Sequence, residues 1–205
     1  MARWVFVRHG ETDWNKAGRL QGHTNTTLSV AGRVQVKALR ERLRGMTFEA
    51  VYTSDLMRTI ETTTLLLEGT GLTPEPTALL REMNYGEWEG LTWPEVQARD
   101  PEAYEEWLRV DPNFEAPAGE SLNALMDRAE NFASRARQAG GDGNTLVVTH
   151  GGIIRMLVLH LLGLDASHYR RLANPASASV TVVDLYGETA VLEIYADAAH
   201  YRPLT

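Results

Sequence analysis

The sequence predicts an α/β fold: a three-layer sandwich with a mostly parallel central sheet flanked by helices, plus a helical and loop cap insertion. Three observations carry that prediction. Short apolar runs of strand length alternate with stretches of helical periodicity, the pattern of sheets built from repeated strand, helix and strand units. The 205 residues suffice for one substantial core and no linker-like shift in composition divides them, so a single domain over 1–205 is expected. Between Arg81 and Gly119 the alternation stops and Trp88, Trp93 and Trp107 gather, which places the cap at about 83–119.

In chain order, residues 3–7 form the first apolar strand run. From Ser29 to Arg44 the chain reads as a helix, with Ser29 as N-cap, Gly45 just past the end and a rough apolar stripe of Val30, Val34, Leu39 and Leu43. Ala50, Val51 and Tyr52 make a second strand, after which Ser54 or Asp55 caps a helix running from Leu56 to Leu67. A third extended segment near Thr73–Thr77 carries two prolines, which suits an edge rather than a central strand. Inside the cap, Asp100-Pro101 opens a short helix, proline being well placed in a first turn. Ser121 begins a long amphipathic helix, with Leu122, Leu125, Met126, Ala129, Phe132, Ala133 and Ala136 near helical spacing, that ends at AGGDGN. TLVVTHGG is a further buried-strand run leading to a helix from about Ile153 to Leu162. ASVTVVDLY and AVLEIYA, separated by Gly187-Glu188, read as an antiparallel pair.

Composition narrows the function. With 43% hydrophobic and 23% charged residues the chain is neither disordered nor fibrous, and zero cysteines remove disulfides, thiolate nucleophiles and Cys-ligated metals. MARWVFV meets charge too soon for a signal segment, and IIRMLVLHLLGL, broken by Arg155 and His160, is shorter than the roughly 20 residues of a membrane span. A cytoplasmic protein with no membrane partner is expected. The net charge of -7 supplies no basic stripe for nucleic acid, so an anionic ligand has to be small and held in a local pocket. A homo-oligomer is left open.

Two strand ends then match. The first strand ends in Arg8-His9-Gly10 and the fourth in Thr149-His150-Gly151-Gly152. In open parallel sheets ligands bind beyond the carboxyl ends of the strands, so both histidines are expected to face one crevice. The second strand leads there too, into a helix whose first turn holds Arg58. Glycines after each histidine permit close backbone approach, and a helix beginning near Gly152 offers free N–H groups to an anion. Such a pocket suits a phosphate monoester, with Arg8 and Arg58 making bidentate charge-assisted bonds. Taken singly, these residues have plainer readings: a strand-end histidine as a structural group, Arg58 as a solvated helix arginine, Glu82 as a loop carboxylate. His23, His160, His168 and His200 keep the plain reading. No HExxH, GxxxxGK[ST] or GxSxG segment is present, and Arg8 beside His9 would repel a metal ion, so no metal and no cofactor are expected.

VRHGETDWN, RLQG, TSDLMRTIETT, REMNYGEWEG, PAGES and THGGIIRML, in this order, resemble the histidine phosphatase superfamily, also called the phosphoglycerate mutase-like family. LANPASASV and DAAHY resemble the ends of its bacterial phosphatase and cofactor-dependent mutase-related branch. The resemblance implies that His9 is the nucleophile that becomes phosphorylated, Arg8 and Arg58 the phosphate clamps, His150 the second phosphate-pocket histidine and Glu82 the proton donor. It also implies that Asn15 and Gln21 contact the phosphoryl group or substrate, with Gly22 and the Gly151 backbone nearby. The sequence departs from the family's D-x-P-L-[ST] run, with Asn25 and Thr27 standing before Leu28 and Ser29 in those places.

The implied activity is a metal-independent phosphatase acting on a small phosphorylated metabolite through a phosphohistidine. The alternatives are a cofactor-dependent phosphoglycerate mutase and a non-catalytic phosphate-recognising module. Between Glu82 and PAGES the only arginines are Arg99 and Arg109, and there is no lysine, a poor setting for the second anionic group of a bisphosphoglycerate. The aromatic residues Tyr85, Trp88 and Trp107 of that interval suit a less charged alcohol portion.

Overall fold

The computed structural model describes residues 1–202. Its sheet has six strands: β1 (Ala2–Arg8), β2 (Ala50–Ser54), β3 (Glu75–Thr77), β4 (Asn144–Thr149), β5 (Val180–Tyr186) and β6 (Thr189–Asp197). They lie in the order β3-β2-β4-β1-β5-β6. β1, β2, β3 and β4 run parallel, while β5 is antiparallel to β1 and β6 to β5. The α/β sandwich is therefore present, and β3, with Pro76 inside it and Pro74 just before it, sits at the edge.

Parallel strands buried on both faces need apolar side chains on both, and β1 shows why its run is continuous rather than alternating. Trp4 and Phe6 point to one side, where α6 (Leu122–Ala139) and α7 (Gly151–Leu161) supply Leu125, Phe132, Ile153 and Leu157. Val5 and Val7 point to the other, where α2 (Val30–Arg42) and α3 (Met57–Leu67) supply Val36, Leu39 and Leu66. A four-residue helix, α1 (Asp13–Lys16), is closed by a capping box between Thr12 and Asn15.

Several local expectations shift. In α2 the first half of the stripe is misplaced: Val30 is 83% and Val34 62% exposed, whereas Leu39 and Leu43 of the stripe pack on the core together with Val36. Ser29 does cap that helix, through its hydroxyl and the Gly32 N–H at 3.0 Å. Neither Ser54 nor Asp55 is the N-cap of α3. Leu56 holds that position, because the Asp55 carboxylate is turned away into a bidentate pair with Arg81 at 2.7 and 2.6 Å. α7 begins at Gly151, two residues before the expected start.

From Gly86 to Arg109 the chain forms a single 3-10 turn, then α4 (Trp93–Arg99) and α5 (Pro101–Arg109). Trp93 stacks on Trp107 at 5.6 Å and 18°, and Trp88 is fully buried with its indole N–H donated to Asp100 at 2.8 Å. Trp88, Val96 and Trp107 belong to the same apolar cluster as α6 and α7. Among the described residues no helix is long and apolar enough to cross a membrane.

Candidate active site

The neighbouring ends of β1 and β4 create the site. Their register pairs Arg8 with Thr149, so the next residue on each strand, His9 and His150, emerges side by side, with ring centroids 5.1 Å apart. The His9 N–H donates to the Thr149 carbonyl at 2.9 Å and locks that alignment. β2 borders β4 on the far side, so α3 starts beside the same edge and delivers Arg58. β5 runs antiparallel to β1, and the loop before it, residues 174–178, therefore arrives at the same end.

His9 is 1% exposed, and its Nδ1 lies 2.7 Å from the Gly10 carbonyl oxygen. A carbonyl only accepts, so Nδ1 carries the proton and Nε2 keeps the lone pair. Burial, then Arg58 and then Arg8 hold the ring well below the usual histidine range. His150, fully buried, is held low in the same way, by burial first and then by Arg58. Its Nδ1 accepts from Arg58 Nε at 3.1 Å, which leaves Nε2–H to donate to Ser54 Oγ at 2.9 Å. Both ring nitrogens of His150 are thus engaged within the protein.

Arg58 is fully buried, and burial lowers its pKa to about 10. Its Nη1 donates to the Thr24 carbonyl at 2.9 Å and its Nη2 to the Gly22 carbonyl at 2.7 Å. Two N–H groups remain, one on each Nη, for an anion in the cleft. Arg8 is pinned through Nη1 to the Pro175 carbonyl at 2.5 Å, whereas its buried Nε has no partner among the described residues. An unpaired buried donor is costly, and an anionic oxygen is the partner that the site's charge favours.

Glu82 closes the opposite side. Its Oε1 accepts from the N–H groups of Met83 and Gly152, both at 2.9 Å, so the carboxylate sits on the N-terminus of α7. Glycine at 152 leaves room for that carboxylate, since a Cβ there would lie 2.2 Å from Glu82 Oε1 and displace it. Together Arg8, His9, Asn15, Gln21, Arg58 and Glu82 line a cleft of about 410 Å³. Gln21 Oε1 accepts from Thr12 and Thr26, so its amide nitrogen is left as a donor. Of the anticipated residues, Gly22, His150 and Gly151 do not line the cleft. Gly22 contributes its carbonyl to Arg58, and Gly151 packs under Asn174, whose Oδ1 would lie 2.2 Å from a Cβ added there.

Other contributors were not legible in the sequence. Glu11, Arg19, Trp93, Asn174 and Ser177 also line the cleft. Arg128, on α6, donates to the carbonyls of Leu79, Arg81 and Glu82 at 2.9–3.1 Å, and His23 Nε2 lies 3.0 Å from the Glu82 carbonyl. These two residues hold the turn that carries Glu82. Ala178 adopts a left-handed φ of 52°, which costs roughly 1 kcal/mol, while its N–H donates to the His9 carbonyl at 2.9 Å. No run or spacing gives any of them a role, although Glu11 lies in VRHGETDWN, Arg19 in RLQG, Trp93 among the clustered tryptophans, and Asn174, Ser177 and Ala178 in LANPASASV.

Two strand-end histidines between arginines, at the carboxyl edge of a parallel sheet, define a protein that handles phosphoryl groups. The family model described as the histidine phosphatase superfamily, branch 1, matches residues 4–198, and the chain belongs to that family. It is a phosphoric monoester hydrolase. It is 36% identical over 200 residues to a metal-independent phosphoserine phosphatase of Arabidopsis thaliana, covering 96% of this chain and 82% of that protein. It is 34% identical to an adenosylcobalamin/alpha-ribazole phosphatase of Salmonella typhimurium, covering 99% of this chain and 100% of that one. Among solved structures, a mycobacterial glucosyl-3-phosphoglycerate phosphatase in complex with VO3 superposes with a TM-score of 0.87 at 32% identity, covering 94% of this chain and 98% of that one.

Proposed function

We propose a cytoplasmic, metal-independent phosphatase that hydrolyses small phosphate monoesters through phosphorylated His9. The observation that carries this reading is the state of His9: Nδ1 is tied to the Gly10 carbonyl, and Nε2 is free among the guanidiniums of Arg8 and Arg58. A neutral imidazole with a fixed tautomer is an armed nucleophile. Nε2 attacks phosphorus in line, forming the N–P bond as the ester P–O bond breaks, and Glu82 gives its proton to the leaving oxygen. Glu82 then takes a proton from water as the water oxygen attacks phosphorus, the N–P bond breaks and orthophosphate leaves. Arg8 and Arg58 stabilise the equatorial oxygens, and losing one such donor costs roughly 3–4 kcal/mol of transition-state stabilisation. His150 orients Arg58, the Gln21 amide and Asn15 flank the phosphoryl group, and residues 83–119 cap the alcohol portion.

Hydrolysis is favoured over mutase transfer because neither arginine of the cap lines the cleft to meet a second acidic end: Arg99 is paired with Glu87 and Asp100, and Arg109 is exposed outside it. The test is to quench turnover of a 32P-labelled monoester in alkali. Labelled protein that loses its label in acid is expected, whereas His9→Ala gives no label and at least about a thousandfold slower phosphate release. Unchanged release by that variant removes His9 as nucleophile, and rearranged ester without net phosphate restores the mutase.

A further inference from the structure

We infer that the alcohol side of the cleft selects monoesters of uncharged alcohols with an apolar or aromatic face, and that Trp93 is the residue that reads that face. This rests on the phosphatase reading and specifies its substrate class. Trp88 and Trp107, which the sequence made candidates for that role, are buried inside the cap and do not line the cleft, whereas Trp93 does, together with Tyr85 and Leu20.

Trp93 is held rigidly. One face stacks on Trp107, and Tyr85 meets it edge-on at 6.1 Å and 88°. It opens α4 directly after Thr92, whose hydroxyl accepts from the Glu95 N–H in a capping box. A fixed indole lining the cleft binds a planar group with little conformational entropy to lose.

Charge points the same way. The cleft is lined by three arginines, of which Arg8 and Arg58 belong to the phosphoryl end. The third, Arg19, donates to the Gly90 carbonyl at 2.5 Å and pairs with Glu95 at 3.2 Å. Glu11, which also lines the cleft, adds negative charge there. A leaving group that carries a carboxylate therefore meets Glu11 and, beyond the phosphoryl end, only the Arg19 guanidinium, whose Nη1 is already held by Gly90 and Glu95, while a neutral ring meets Trp93, Tyr85 and Leu20.

The experiment compares benzyl phosphate with phosphoserine and 3-phosphoglycerate, all esters of aliphatic hydroxyls, by phosphate release from the intact protein. For the wild type, kcat/KM for benzyl phosphate is expected to exceed that for either acid by about tenfold. Trp93→Ala is expected to erase most of that ratio through KM, and Trp93→Phe, which keeps a ring, to retain it. Equal or better turnover of an acid by the wild type overturns the inference, as does a Trp93→Ala variant that lowers kcat on all three esters alike. The activated ester p-nitrophenyl phosphate separates the two levels. If it is not hydrolysed, the phosphatase reading fails along with the inference; if it is hydrolysed while the order is wrong, only the specificity fails.

Discussion

A histidine attacks phosphorus only through an unprotonated nitrogen, and at position 9 the Gly10 carbonyl decides which nitrogen that is. Burial and two neighbouring guanidiniums keep the ring neutral, so the acid limb of kcat/KM due to His9 is expected well below pH 6.5. A limb at or above 6.5, shifted in His9 variants, would place the nucleophile elsewhere. The same burial carries a stability consequence. His9 and His150 stay neutral in the fold but take up protons near pH 6.5 once unfolded, so the unfolded state binds more protons below that pH. Stability is then complete above 6.5 and falls as the pH drops through 6.5 toward the folded values, by about 1.4 kcal/mol per pH unit and per histidine. Urea midpoints at pH 7.5, 6.0 and 5.0 read this directly, and His9→Asn is expected to reduce the loss by half.

At the scale of elements, helix starts and close approaches carry the site. Gly152 lets α7 begin against the Glu82 carboxylate; Gly152→Ala would force Cβ to 2.2 Å from Oε1 and 3.0 Å from the Tyr169 hydroxyl. Its expected effect is a loss of kcat of about a hundredfold, with a smaller change in the inhibition constant of inorganic phosphate, since Arg8 and Arg58 are untouched. An unaltered kcat would remove Glu82 from the chemistry. The helix α2 separates periodicity from burial. Leu39, fully buried, is expected to cost about 2–5 kcal/mol on change to alanine, whereas Val34, 62% exposed, is expected to tolerate lysine within about 0.5 kcal/mol in urea unfolding. Half of the expected apolar stripe, Leu39 and Leu43, packs on the core, whereas Val30 and Val34 share a helical face that turns to solvent, while Gly32 brings the other face against the Glu11 backbone.

For the whole molecule, the decisive feature is that the cap shares a core with the sheet. Trp88, Val96 and Trp107 lie in one cluster with Phe6, Phe132 and Leu157. We propose that residues 1–202 unfold as one unit, with tryptophan fluorescence, reporting mostly the cap, and far-UV circular dichroism tracing coincident transitions. Separate midpoints would show the insertion to be an independent domain. Trp88→Ala is expected to lower both together, by about 3–5 kcal/mol.

By itself, the sequence determined the strand runs, the caps at Ser29 and Ser121, the edge position of β3 and the catalytic candidates. These rest on local signals: hydrophobic runs, side chains that bond nearby backbone, proline's missing donor, and histidines placed directly at strand ends. Arg58 and Glu82 were legible only through motif resemblance, since neither stands out from its surroundings. Tertiary structure alone decided which cleft the residues share. It brought Asn174 and Ser177 beside Arg8 because β5 runs antiparallel to β1, and it spent Arg19 and both nitrogens of His150 on protein partners. It also chose Trp93 over Trp88 and Trp107 as the aromatic that faces the cleft. The physical reason is common to all of these: whether a side chain meets ligand or protein depends on strand order, direction and packing between residues distant in sequence, none of which local periodicity encodes.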